Sequence, residues 1–140
     1  MLLEKAIALA ATYHAGQTDK AGQPYILHVL RVLMKQDSDD ARIVAALHDV
    51  VEDTAITVAD LARSGFGDDI VAAVGALTRR SDVPYEAYLE GVAANPLARA
   101  VKIADLEDNM DVRRLAAIGE ADQERLAKYH RTWLRLTAGA

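Results

Sequence analysis

The stretch DARIVAALHDVVED, residues 40–53, decides how the rest of the chain is read. Its apolar residues, Ile43, Val44, Ala46, Leu47, Val50 and Val51, cover more than one face of a helix running from about residue 40 to 52, which places that helix at the centre of a domain. Its last turns become polar. His48-Asp49 is followed by Glu52-Asp53, so that His48 and Glu52, like Asp49 and Asp53, stand four residues apart in adjacent rows of the helix surface. An imidazole and three carboxylates crowded onto an apolar helix are costly unless a cation or a hydrogen-bond network compensates them. Acids near a helix C-terminus also oppose the helix dipole, so local stability does not account for their placement. For Glu52 and Asp53 alone, a solvated acidic turn is the competing reading.

Working outward, helical stretches alternate with recognisable stops. Leu3, Ile7 and Ala10 or Ala11 recur at helical spacing over residues 2–15, up to Gly16. A polar loop, Gln17 to Gln23, leads to Pro24, which suits the first turn of a helix to about Lys35 because its missing N–H would have had no partner there. Asp37-Ser38-Asp39-Asp40 breaks the chain and caps the central helix. Thr57 and Asp60 form a capping box for a short helix, and Gly65-Phe66-Gly67 separates it from another at about 68–78. Pro84 and Asn95-Pro96 open helices at about 84–94 and 96–109, and a last one spans about 120–136. Alanine is abundant, aromatic residues make up only 5%, and β-branched residues never alternate, which favours close-packed helices over strands. The expectation is an all-α, single-domain bundle of about eight helices over residues 1–140.

Composition removes several kinds of chemistry. Without cysteine there is no disulfide framework, thiolate metal site or cysteine nucleophile, so any metal must be held by histidine and carboxylate. A net charge of −5 with no basic block argues against nucleic acid as a partner. Gly16, Gly22, Gly65 and Gly67 match neither a Walker A loop nor a dinucleotide fingerprint. Glu4 and Lys5 interrupt the apolar start and nothing approaches a membrane span, so a cytoplasmic protein without a membrane partner is expected. Alanine-rich helices pack between subunits as readily as within one, which leaves a homodimer open.

Two more residues fit the polar end of the central helix. His28 is flanked by Leu27 and Val29, and Asp105 lies between Ala104 and Leu106, each a polar group in an apolar helical run. Singly, His28 reads as a hydrogen-bonded core histidine and Asp105 as a salt-bridge partner of Lys102 or Arg99. Together with His48 and Asp49 they make a divalent-metal set whose mix of imidazole and carboxylate suits Mn²⁺, Fe²⁺ or Zn²⁺.

The order His28, His48-Asp49, Asp105 resembles the metal signature of the HD phosphohydrolase superfamily. The strings HAGQTDKAGQPYILH (14–28), ALHDVVEDT (46–54), FGDDI (66–70) and VKIADLEDNM (101–110) are similar to the hydrolase domain of RelA/SpoT alarmone enzymes and their small stand-alone hydrolases, including the metazoan SpoT homologue. That resemblance implies one Mn²⁺ on His28, His48, Asp49 and Asp105, other divalent transition metals being alternatives. It implies that Glu52 and Asp53 position or deprotonate the attacking water, and that Lys20 and Asn109 contact the nucleotide. The implied reaction removes pyrophosphate from the 3′ position of ppGpp or pppGpp. A phosphohydrolase acting on another nucleotide, such as NADPH, and a non-catalytic nucleotide sensor are the alternatives. No counterpart of the synthetase and regulatory regions of the long enzymes is present, so hydrolysis is expected and synthesis is not. The chain departs from the family pattern at Asp19, where a basic pair is usual, and between Thr78 and Pro96, a short segment carrying Arg79, Arg80, Tyr85 and Tyr88.

Overall fold

The structure, a computed structural model, describes residues 2–138. It consists of α1 (Leu2–Tyr13), α2 (Tyr25–Met34), α3 (Asp39–Asp53), α4 (Val58–Arg63), α5 (Asp68–Leu77), α6 (Tyr85–Ala94), α7 (Pro96–Asn109) and α8 (Glu120–Thr137), with a 3₁₀ turn at Val112–Arg114. The all-α expectation holds.

Helix starts follow local chemistry. The Ser38 hydroxyl accepts from Ala41 N (3.2 Å) at the head of α3, where Asp39 and Asp40 also suit the positive end of the helix dipole. The Thr57/Asp60 capping box forms in both directions, at 3.1 and 2.8 Å. Asn95 caps α7 through Ala98 N (3.1 Å), which leaves Pro96 in the first turn. Pro24 and Pro84 instead stay just outside their helices with extended ψ of 129° and 144°. Pro24 is held there by a bridge to Thr18. The first helix ends at Tyr13, two residues short of expectation, because the chain reverses over Gly16 at φ +83°, a conformation that favours glycine.

α3 is the central element, packed against α1, α2, α5 and α7. Every residue from Ile43 to Val50 is buried, His48 and Asp49 included. Ala45 and Ala46, and Ala6 and Ala10 on α1, are fully buried, so alanine provides the close approach of these two helices. α2, α3 and α7 pack pairwise against one another, and this triangle places residues 28, 48, 49 and 105 around one point.

The loop between α1 and α2 is organised by Asp19. Its Oδ1 accepts from both Ala21 N and Gln23 N at 2.9 Å, while Asp19 N donates to Gln23 O at 2.8 Å. Asp19, where the resemblance led to a basic residue being expected, is thus the residue that shapes its own loop.

Candidate metal centre

α2 contributes His28, α3 His48 and Asp49, and α7 Asp105; one ligand atom from each lies within 4.8 Å of all the others. None of the four is more than 8% exposed. Inside the group, His28 Nε2 is 2.9 Å from Asp105 Oδ1 and His48 Nε2 is 3.1 Å from Asp49 Oδ2. The cross distances, His28 Nε2 to Asp49 Oδ2 and His48 Nε2 to Asp105 Oδ1, are 4.0 and 3.8 Å.

The outward-facing atoms determine what the inner ones can do. His48 Nδ1 donates to Ala45 O at 2.6 Å and His28 Nδ1 donates to Asp108 Oδ2 at 2.6 Å. With both Nδ1 protons committed outward, each Nε2 presents a lone pair to a carboxylate oxygen. His48 Nε2 is buried and makes no hydrogen bond. Two imidazole lone pairs facing two carboxylates repel unless a proton or a cation stands among them, and the donor set of two nitrogens and two carboxylates fits a divalent transition metal. Without a metal the protons are retained. Burial opposes a charged His28 ring, but hydrogen bonds to Asp105 and Asp108 outweigh it and lift the pKa to about 9. His48 is raised as well, burial being overcome chiefly by Asp49.

A surrounding layer holds these groups in place. Arg31 grips Asp108 with its Nε and Nη2 (2.7 and 3.1 Å), and Arg114 Nη2 reaches the Asp108 carbonyl at 3.2 Å. Tyr25 donates its hydroxyl to Asp49 Oδ2 at 2.5 Å. Lys102 donates to Asp105 Oδ2 at 3.2 Å, and Asn109 Nδ2 donates to Asp105 Oδ1 at 3.3 Å. Arg99, the other partner considered for Asp105, instead donates to Leu136 O. Asp108 and Arg31 did not emerge from the sequence as site residues, although a signal was available. Each lies three residues after a member of the cluster, so His28/Arg31 and Asp105/Asp108 are matched i,i+3 pairs on facing helices.

Glu52 and Asp53 form the rim. Both are exposed as residues, yet both carboxyls titrate above their ordinary range, because partial burial and the Asp49 charge disfavour ionisation. Glu52 Oε1 accepts from Arg79 N at 3.4 Å. Beside the cluster opens a cavity of about 400 Å³ whose lining includes Lys20, Tyr25, Asn109, Arg114, Arg125 and Tyr129. Lys20 and Asn109 thus share one cavity, and Asn109 ties it to Asp105.

A family model described as HD domain matches residues 6–127. The chain belongs to the HD-domain family. Membership implies a divalent-metal centre, and the His/Asp cluster could hold such a metal. The chain is 34% identical over 142 residues to a probable guanosine-3′,5′-bis(diphosphate) 3′-pyrophosphohydrolase of Synechocystis, a match covering 91% of the chain and 18% of that relative. It is 32% identical over 139 residues to a GTP pyrophosphokinase of Streptomyces coelicolor, covering 90% of the chain and 16% of the relative. The chain therefore spans less than a fifth of the length of either. A solved structure of a metazoan SpoT orthologue that hydrolyses ppGpp superposes with a TM-score of 0.79, covering 99% of this chain and 86% of that one at 22% identity, which shows a shared HD-domain fold.

Proposed function

We propose that residues 1–140 form a cytoplasmic, Mn²⁺-dependent phosphohydrolase domain that removes the 3′-pyrophosphate of ppGpp and pppGpp, leaving GDP and GTP. The observation that carries this reading is the pair of inward-facing histidine Nε2 atoms set against two carboxylates, with Glu52 and Asp53 at the rim and a polar cavity of mixed charge alongside. The names of the relatives supply the substrate class.

In this reading His28, His48, Asp49 and Asp105 hold the metal. Once bound, a divalent cation polarises a phosphoryl oxygen and lowers the pKa of its water. Glu52 or Asp53 accepts the proton of the attacking water, their raised pKa values making them better bases than a solvated carboxylate. Water adds to the phosphorus next to the ribose, the bond from that phosphorus to O3′ breaks, and the proton taken up by Glu52 or Asp53 passes to O3′, so that the nucleotide leaves with a 3′-hydroxyl. Lys20 and Asn109 orient the nucleotide in the cavity. Purified protein with Mn²⁺ and ppGpp should release pyrophosphate and GDP; cleavage of NADPH in place of ppGpp would transfer the same centre to another nucleotide. No turnover of any nucleotide by the metal-loaded protein would leave a sensor.

A further inference from the structure

The segment between Thr78 and Pro96 meets the centre described so far through one bond, from Arg79 N to Glu52, and its side chains have been given no task there. We propose that Arg79, Tyr85 and Lys128 form an anion-binding surface beside the metal centre that takes the pyrophosphoryl group of the substrate, a refinement that rests on the phosphohydrolase reading above.

Arg79 Cζ lies 4.9 Å from the centroid of the Tyr85 ring, and Lys128 Nζ lies 4.5 Å from the same centroid. These cations come from elements far apart in the chain. Among the described residues, no carboxylate oxygen comes within 4.0 Å of the guanidinium nitrogens of Arg79 or of Lys128 Nζ. Most other arginines near the surface behave differently: Arg63, Arg80, Arg113, Arg125 and Arg135 each pair with an acid. Two like charges brought to one ring repel each other, and a bound polyanion converts that repulsion into attraction.

The ring that gathers them is fixed. Its hydroxyl hydrogen-bonds the buried Thr132 Oγ1 at 3.0 Å, and it stacks on Tyr88 at 5.8 Å with an interplanar angle of 25°. Tyr88 in turn lies beneath Lys102 Nζ at 6.0 Å, and Lys102 binds Asp105 Oδ2. Asn109 reaches the other oxygen of the same carboxylate from the cavity. The cavity and the tyrosine surface thus connect to the metal cluster through different oxygens of Asp105. α8 supplies both, since Tyr129 lines the cavity while its neighbour Lys128 bears on Tyr85. Arg79 is also anchored beside the rim, through its N–H to Glu52. A nucleoside in the cavity would direct its scissile phosphorus to the centre and its departing diphosphate onto Arg79 and Lys128.

The test is titration of Mn²⁺-loaded protein with pyrophosphate in excess Mn²⁺. The Arg79→Gln/Lys128→Gln double variant should bind pyrophosphate at least about tenfold more weakly, with its Mn²⁺ affinity unchanged. Arg63→Gln, on α4, should leave pyrophosphate affinity as it is. Equal pyrophosphate affinity in the double variant and the parent overturns the proposal, and if the parent still turns over ppGpp the phosphohydrolase reading survives that failure. Conversely, a parent that does not hydrolyse ppGpp, with pyrophosphate affinity still lost in the double variant, refutes the reaction and retains the anion surface.

Discussion

The buried cluster and its rim lie one helical turn apart on α3, and their carboxyls titrate in opposite directions. Asp49 is buried and its pKa is lowered, because the His48 ring beside it outweighs the effect of burial. Glu52 and Asp53 are exposed at the edge and their pKa values are raised by partial burial and by Asp49 itself. Three acids of similar intrinsic strength thus become one fixed anion and two available bases. Anchoring differs in the same sense: Asp49 is held by the Tyr25 hydroxyl, whereas the Glu52 carboxylate has, among the described residues, one long bond from Arg79 N. A fixed anion suits a metal ligand, and a loosely held base suits proton transfer.

The strongest challenge to this division is Asp49→Ala. It should abolish Mn²⁺ binding and reduce turnover by more than about 10³-fold, since metal-assisted stabilisation is worth several kcal/mol; Mn²⁺ retained at parental affinity would remove Asp49 from the cluster's function. Glu52→Gln should reduce kcat by about 10²- to 10³-fold with Mn²⁺ affinity intact, the range for loss of a general base. Measured by calorimetry, metal loss in that variant would erase the distinction between cluster and rim.

Asp108 sharpens the comparison from behind the cluster. Asp108→Leu should weaken Mn²⁺ binding by about 10- to 100-fold, because His28 Nδ1 loses its acceptor and the ring loses its fixed orientation. Asp108→Asn keeps an acceptor for Nδ1 and should recover most of that affinity. Parental Mn²⁺ affinity in Asp108→Leu, with thermal stability unchanged, would show that Asp108 does not orient the ring.

The smallest expected effect concerns pH in the metal-free protein. His28 titrates at about 9 in the folded chain and at about 6.5 when unfolded. A raised folded-state pKa gives stability that is complete below the unfolded value and is lost as pH rises through the folded one. The melting temperature of metal-free protein should therefore fall between pH 6.5 and 9, and Mn²⁺, replacing the lost proton, should remove most of the fall. A flat profile without metal would show that His28 is not held protonated against the ionised Asp105 and Asp108.

Much of this is legible in the amino-acid sequence. The capping box at Thr57, the Asn95-Pro96 start of α7 and the apolar sweep of α3 are interactions within a few residues, and residue order specifies them directly. Polar groups within apolar helical runs marked His28, His48, Asp49 and Asp105 as a metal set, the resemblance implied one Mn²⁺ on them, and α2, α3 and α7 bring them together. Asp19 was legible only as a departure. Its task of closing a loop depends on backbone N–H groups at positions 21 and 23 that turn back toward it.

Residue types and their spacing alone determined an all-α chain without thiol chemistry, a central helix with a polar end, and a histidine and carboxylate donor set. Only the tertiary structure decided which histidine nitrogen faces inward, that Asp108 and Arg31 stand behind His28, and that Arg79 and Lys128 lie 4.9 and 4.5 Å from the Tyr85 ring centroid. The reason is physical. Helix periodicity and capping act over three or four residues, whereas the direction of a buried imidazole is set by partners as much as 80 residues away, which packing alone brings within hydrogen-bond reach.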